Sequence, residues 1–592
     1  EERFNLLYPD FFDINDPVIP KDTDWSFIDT PMTEVPQSQL PLDSIAETME
    51  KSDPDNGSNN WAVSGSKSYS GNPILANDPH LGLNLPSIWF IMQLATPTHN
   101  AFGATLPGAL GVVSGFNTDI AWGETNATRD VKDWYKIEFK DKSRQQYKYN
   151  NSWKNTSVRI EEIKIKGQKT YIDSVIYTHH GPVSYDYTFK GNGEKEGYAM
   201  KWAGLIGGNN QRTLLDLNSA KNYDDYLHAI SLWTCPGQNF VLATKSGDIA
   251  IKQQGSFVAR WERQGDFIMP GEDTSFQWQG IIPGNENPMI KNPERGFVSS
   301  ANQKSTDISY PYYLGAASAF PLYRGISVNM HLNKMSQITA EDMQALQTNN
   351  YNAFAATARP ALMKYIQVDK LSTDAKRMVN EMTNWDLYNN VNAKGITCFK
   401  IIWDSVEQAV WGDELGGSAI PLLKPEAYVL LDQMLKDTNW SIADDIRTKN
   451  IVEDLKTQVT LGVEKATEKL LSLEKENKLE WSLFKATRVL HLTKTPALSR
   501  MNLPIGGGVN IINATTENHG PSWRMVVHLT DEIEAYGLYP GGQSGNPGSP
   551  YYDTFVNYWA EGKYYRLLFL SKEKLKQSER TKWHIQFQKI NS

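Results

Sequence analysis

Short runs rich in Val, Ile, Thr, Tyr and Trp, cut by Gly, Asn and Pro, follow one another from Trp61 to about Phe297. Runs of that length and composition are half-buried strands joined by hairpins. Phe240-Val-Leu-Ala243 and Ile249-Ala-Ile251, separated by Thr244-Lys-Ser-Gly-Asp248, read as an antiparallel pair. In Val158-Arg-Ile-Glu-Glu-Ile-Lys-Ile165 the apolar residues change phase, which predicts a bulge or turn near Glu161-Glu162. Between about Thr339 and Lys494 the spacing turns helical. Thr339-Ala-Glu-Asp342 resembles a capping box ahead of Met343 and Leu346. Ile446, Ile451, Leu455, Val459, Val463 and Leu470 predict an amphipathic helix over 444–473. Strand texture returns after Leu503. Strands at both ends of this order are satisfied by two packed antiparallel sheets flanked by helices, an α+β architecture with a large helical insertion. The expected divisions are 1–57 (tail and spacer), 58–338 (β-rich core), 339–500 (mainly helical) and 501–592 (strands returning to the core).

Composition removes several function classes. A formal charge of -9 without a long Lys/Arg block argues against a nucleic-acid surface, because neutralising phosphates takes clustered positive charge. No run approaches the roughly 20 apolar residues of a membrane-spanning helix. Cys235 and Cys398 are too few and too distant for a zinc ribbon or a disulfide scaffold, and two buried thiols or one disulfide both remain open. No Gly-x-Ser-x-Gly elbow or His-Glu-x-x-His occurs, and Gly506-Gly-Gly508 lacks the Lys of a phosphate loop. His179-His180 could suggest a metal pair, but adjacent strand residues point to opposite faces.

The chemistry concentrates at Gly57-Ser58, where a polar spacer, Lys51-Ser-Asp-Pro-Asp-Asn-Gly57, meets an apolar strand. The spacer reads as an exposed loop. A serine hydroxyl can attack the preceding carbonyl, Gly57 has no side chain to obstruct it, and hydrolysis of the ester leaves Ser58 with a free α-amine. An α-amine has an ordinary pKa of about 7.7 to 8.0 and serves as a base near neutral pH. Ser58 would then be nucleophile and base in one residue.

Ser58-Asn-Asn-Trp-Ala-Val-Ser-Gly-Ser-Lys67 and Leu75-Ala-Asn-Asp-Pro-His-Leu-Gly82 resemble the start of the β chain in the penicillin acylase family of N-terminal-nucleophile amidohydrolases. Further similar blocks follow in order: Gly115-Phe-Asn-Thr-Asp-Ile-Ala-Trp-Gly-Glu-Thr-Asn126, Asn239-Phe-Val-Leu-Ala-Thr244, Gly296-Phe-Val-Ser-Ser-Ala-Asn302, Glu341-Asp-Met-Gln-Ala-Leu-Gln347, Trp523-Arg-Met-Val-Val527 and Gly542-Gln-Ser-Gly-Asn-Pro-Gly-Ser-Pro550. Leu6-Leu-Tyr-Pro-Asp10 and Asp16-Pro-Val-Ile-Pro20 resemble the end of the smaller α chain. The resemblance implies a four-layer αββα core, periplasmic or secreted location, and the rest of the α chain as partner, so this chain is expected to be a fragment or part-processed product. It implies hydrolysis of N-acylated small molecules with penicillin-type side chains or related amides. An acyl-homoserine-lactone acylase is the alternative of the same fold. A non-catalytic ligand- or carbohydrate-binding sandwich is the alternative outside it, given 18 Trp and 27 Tyr.

The same resemblance assigns roles. Asn302 stands at the oxyanion Asn, and Asn126 where a backbone N–H supplies a second donor. His80 stands at a position near the nucleophile that is Gln in penicillin G acylases and His in several acylases of cephalosporins and acyl-homoserine lactones. Arg324 would orient Asn302 or meet a substrate carboxylate. Asp130, the Lys132 carbonyl and Asp133 match calcium ligands, although Ca2+ takes about 6 to 8 oxygens and Tyr313 stands where the family often has a further Asp. No organic cofactor is implied.

Overall fold

The computed structural model describes residues 6–9, 15–29, 57–186, 193, 195–315, 322–416, 424–436, 440–571, 573–574, 581–583 and 585–586. The spacer over 51–56, expected as an exposed loop, lies outside them. Its last residue, Gly57, is not exposed; it is the buried first residue of the strand Gly57–Val63.

That strand is central in one antiparallel sheet. It lies between Phe297–Ser300 and Ile74–Gly82, and the sheet continues through Arg524–His528 and Glu534–Leu538 to Tyr565–Arg566, with His519–Pro521 also on Ile74–Gly82. The C-terminal strands therefore rejoin the first core. A second antiparallel sheet runs in the order Met289–Lys291, Ile249–Gln254, Gln238–Thr244, Ile120–Asn126, Ser114–Phe116, Asn100–Thr105, Phe90–Ala95. The expected hairpin supplies its second and third strands in that order, with Ala243 opposite Ile249.

Side chains alternate across a strand, so each sheet has two faces to cover. Ala62, Leu75, Val298, Met525 and Val527 of the first sheet meet Phe116, Ala121, Val241 and Ile251 of the second. On its outer face the first sheet sends Trp61, Val63, Ile74 and Val526 against Val328 and Leu332 of helix Leu322–Lys334 and Met343 and Leu346 of helix Ala340–Gln347. The second sheet sends Trp122, Phe240 and Leu242 against Leu217, Tyr226 and Ile230 of helices Asn210–Ser219 and Tyr223–Ile230. The layers are α, β, β, α, as expected. Each fully buried side chain of this size contributes roughly 1.5 to 3 kcal/mol.

Thr339 and Asp342 form the expected capping box. The predicted helix over 444–473 instead runs Leu455–Lys475 from the N-cap Asp454. Ile446 and Ile451 are exposed and belong to the irregular chain before it. This helix crosses Gly395–Gly416 at Gly462, where a Cβ would lie 2.7 Å from Val406 Cα. The bulge predicted at Glu161-Glu162 is absent. Ser157–Ile163 pairs without interruption with Tyr171–Thr178, and this hairpin is exposed on both faces over most of its length, so no core demands one apolar phase. His179 and His180 do not straddle a strand either; they form the turn before Gly181–Tyr185, with ring centroids 3.9 Å apart. His179 contacts the Tyr147 hydroxyl and His180 the Gly271 carbonyl, and burial pulls both rings down, to about 4 and about 3. Cys235 and Cys398 are separate thiols, and burial pushes Cys398 up to about 12. No helix among the described residues is long and apolar enough to cross a membrane.

Candidate active site

Ser58 shares its face of the sheet with Asn60 and Ala62, the face turned toward the second sheet. Asn60 Nδ2 donates across the gap to the Asn239 carbonyl at 3.0 Å. On the neighbouring strand Asn77 Nδ2 donates to the Glu124 carbonyl at 3.1 Å, and the Ser114 hydroxyl donates to Asn77 Oδ1 at 2.8 Å. These cross-sheet bonds set the spacing where Ser58 sits, about 0.5 to 1.5 kcal/mol each when buried and satisfied.

Asn302 follows strand Phe297–Ser300 with φ at 68°, a left-handed conformation that Asn tolerates better than most residues. The turn brings its amide back onto Ser58. Ser58 N–H donates to Asn302 Oδ1 at 2.6 Å, and Asn302 Nδ2 donates to the Asn126 carbonyl at 3.0 Å. Thr128 Oγ1 donates to the Asn302 carbonyl at 2.9 Å, and Asn239 Nδ2 to Thr125 Oγ1 and Ser300 Oγ, both at 3.1 Å. Asn126 thus reaches the site through its carbonyl. Its Oδ1 is taken by Thr128 N–H, and the next backbone donor, Ala127 N–H, is held by the Gly237 carbonyl at 3.0 Å.

Arg324 comes from helix Leu322–Lys334 and is 2% exposed. Its Nη1 donates to the Ser58 carbonyl at 2.9 Å and to Asn59 Oδ1 at 2.8 Å, and Nη2 donates to Asn302 Oδ1 at 3.0 Å. Burial pulls the guanidinium down to about 10, so it stays charged at neutral pH. Arg324 Nη2 and Ser58 N–H thus meet on the same Asn302 Oδ1, the contact that the first of the two expected roles requires. Gly57 permits the approach: a Cβ there would lie 2.8 Å from Arg324 Nη2 and 3.2 Å from Asn302 Oδ1.

His80 is placed apart from the Ser58 hydroxyl. It pairs with Gly57 in register and shares the helix-side face with Asn59 and Asp78. Its Nε2 is 2.7 Å from Asp78 Oδ2, and burial keeps the ring below its ordinary pKa although Asp78 opposes this. Asn59 Nδ2 gives its two hydrogens to Asp78 Oδ2 and the Ile512 carbonyl, each at 2.9 Å. Gln347 Nε2 donates to Asp78 Oδ1 at 2.9 Å, and Tyr564 O–H to Gln347 Oε1 at 2.9 Å. Asn59, Asp78, Gln347 and Tyr564 were not singled out from sequence. Asn59, Asp78 and Gln347 lie within the similar blocks, and Asp78 also stands two residues before His80, on one strand face.

Asp130 and Asp133 do come together, but around a guanidinium. Arg260 Nη1 donates to Asp130 Oδ2 at 2.9 Å, and Nη2 lies 3.1 Å from Asp133 Oδ2. Lys132 N–H donates to Asp130 Oδ1 at 3.2 Å. Both carboxylates of the set expected for calcium are thereby engaged by N–H groups, an arrangement that suits a guanidinium better than a hard cation.

The sequence profile of the penicillin amidase family matches residues 4–576. The acyl-homoserine lactone acylase QuiP of Pseudomonas aeruginosa is 25% identical over 567 residues, covering 86% of this chain and 66% of its own length. The penicillin acylase 2 proenzyme of Pseudomonas sp. is 25% identical over 315 residues, 52% of this chain and 39% of that protein. A solved structure, the thermostable penicillin G acylase from Alcaligenes faecalis, superposes with a TM-score of 0.67 at 19% identity, covering 90% of this chain and all of that one. The chain spans just under two thirds of the length of the acyl-homoserine lactone acylases it matches.

Proposed function

The chain belongs to the penicillin amidase family, and from that membership and the geometry at Ser58 we propose that it hydrolyses the amide bond of N-acylated small molecules through an acyl-enzyme on Ser58. The observation that carries this reading is the pair of bonds on Asn302, whose Oδ1 accepts from Ser58 N–H while its Nδ2 is held by the Asn126 carbonyl. One amide hydrogen goes to Asn126 and the second is left for an oxyanion.

Maturation begins when Ser58 Oγ attacks the Gly57 carbonyl carbon and the C–N bond breaks, giving an ester. Water hydrolyses the ester, leaving a Gly57 carboxylate and a Ser58 α-amine. The amine then takes the Oγ proton as Oγ attacks the substrate carbonyl, and gives it to the departing nitrogen. Water releases the acid by the reverse route. The buried Arg324 cation disfavours a charged ammonium beside it, holding more of the amine in its basic form. Periplasmic or secreted location and pairing with an α chain belong to the same reading. QuiP matches across 86% of this chain, which favours acyl-homoserine lactones as a second substrate class beside penicillin-type amides.

Ser58→Ala is expected to abolish amine release from penicillin G and from acyl-homoserine lactones of graded length, and to leave the Gly57–Ser58 bond whole. Turnover at the parent rate by this variant would remove Ser58 from the mechanism.

A further inference from the structure

We propose that Arg260 is a built-in replacement for a divalent cation at Asp130 and Asp133, so that this part of the fold is held without metal. Five observations converge. The Arg260 side chain is 1% exposed and Asp133 is fully buried, so the guanidinium sits inside the cluster. Both carboxylates are engaged by it: Nη1 lies 2.9 Å from Asp130 Oδ2 and 3.4 Å from Asp133 Oδ1, Nη2 3.1 Å from Asp133 Oδ2. Backbone carbonyls turn to it as well, with Nη1 donating to Gln264 O and Nη2 to Asp130 O, both at 3.2 Å. Trp278 Nε1–H donates to Asp133 Oδ2. The fifth is the cradle. Gly265 has φ 94°, and a Cβ there would lie 2.2 Å from Asp133 Oδ1 and 2.7 Å from Arg260 Nη1, so the loop closes over the ion pair only as glycine.

The Nη hydrogens of a planar guanidinium meet two carboxylates and two carbonyls at hydrogen-bond distance, while the buried Nε–H has no partner among the described residues. A calcium ion needs oxygens at about 2.3 to 2.6 Å from a common centre, whereas here the carboxylate oxygens are turned to the Arg260 N–H groups, and its charge would repel the guanidinium. The consequence reaches the site. Residues 127–131 link strand Ile120–Asn126 to strand Lys132–Glu138, and this link carries both Asp130 and Thr128, whose hydroxyl bonds the Asn302 carbonyl. Arg260 is thus a positioning residue for that link, doing with a covalently attached cation what a bound one would do.

The test is thermal unfolding of the purified full chain, with metal content measured on the same sample. The wild-type midpoint should move by no more than about 1 °C with excess EDTA or with millimolar CaCl2, because a ligand stabilises only what binds it. Calcium should not co-purify stoichiometrically. Arg260→Gln and Asp133→Asn should each lower the midpoint, and the double variant should lose less than the sum, since either change alone strands a buried partner. A wild-type midpoint that falls in EDTA and returns with CaCl2, or one calcium per chain, would overturn the proposal. So would additive effects of the two substitutions. If Arg260→Gln does not fold, the wild-type measurements still decide.

Discussion

Asn302 has to face two ways, and its primary amide is the smallest group that can. Oδ1 receives Ser58 N–H and Arg324 Nη2, while Nδ2 is steered by the Asn126 carbonyl. Asn302→Asp keeps the acceptor and removes the donor. It should retain processing at Ser58 and lose about 100- to 1000-fold in kcat, the usual cost of one oxyanion donor; unchanged kcat on an N-acyl substrate would show the oxyanion is held elsewhere. Glu124, two residues before Asn126, has Oε1 buried without a partner among the described residues, and burial raises its carboxyl to about 8. The folded state therefore keeps a proton that the unfolded chain releases near pH 4.5. Stability from this group is full below pH 4.5 and is lost as pH rises toward 8. Glu124→Gln should leave the melting midpoint little changed at pH 5 and raise it at pH 8. Ser58 and Asn302 were legible in the sequence because motifs carry them, and Arg324 as a single position of the family resemblance. His80 was legible only as a neighbour, since deciding its face requires the strand register. Arg260 had no motif, and it meets Asp130 from 130 residues away.

Elements were readable where packing buries them. The Phe240–Ala243 hairpin and the Thr339 cap follow from local patterns that packing reinforces. The exposed hairpin at 157–178 followed no such rule, because phase carries no information without a core on one side. Helix Leu455–Lys475 was drawn too long for the related reason that Ile446 and Ile451 are apolar but exposed. Its Gly462 gives a test of packing against propensity. Gly→Ala in a helix is worth roughly 0.5 to 1 kcal/mol of stabilisation, but a methyl 2.7 Å from Val406 Cα must push two helices apart, at about 1 to 3 kcal/mol. Packing should win. Gly462→Ala is expected to lower the urea midpoint at unchanged slope, and a raised midpoint would mean the helices do not approach so closely.

Across the molecule, the two sheets bring together residues far apart in the chain. Ser58 meets Asn302 from 244 residues away, and Asn59 meets the Ile512 carbonyl from 453 away. The segment 15–29 joins this assembly, with Val18 and Ile19 N–H donating to the Lys304 and Ser305 carbonyls and Asn329 Nδ2 to Asp16 Oδ2, close behind the Asn302 turn. The layered fold was readable from the order of strand and helix textures. Most of the polar network behind the nucleophile was not, because its bonds other than the Asp78–His80 contact join different segments. The central claim is that Ser58 becomes a chain terminus and carries the acyl group. Denaturing intact-mass analysis of the expressed protein, quenched during brief exposure to an N-acyl amide, tests both parts. A fragment beginning at Ser58 is expected, its mass raised by one acyl group on the Ser58 peptide. An unbroken chain through Gly57–Ser58 that still turns over substrate would contradict the claim.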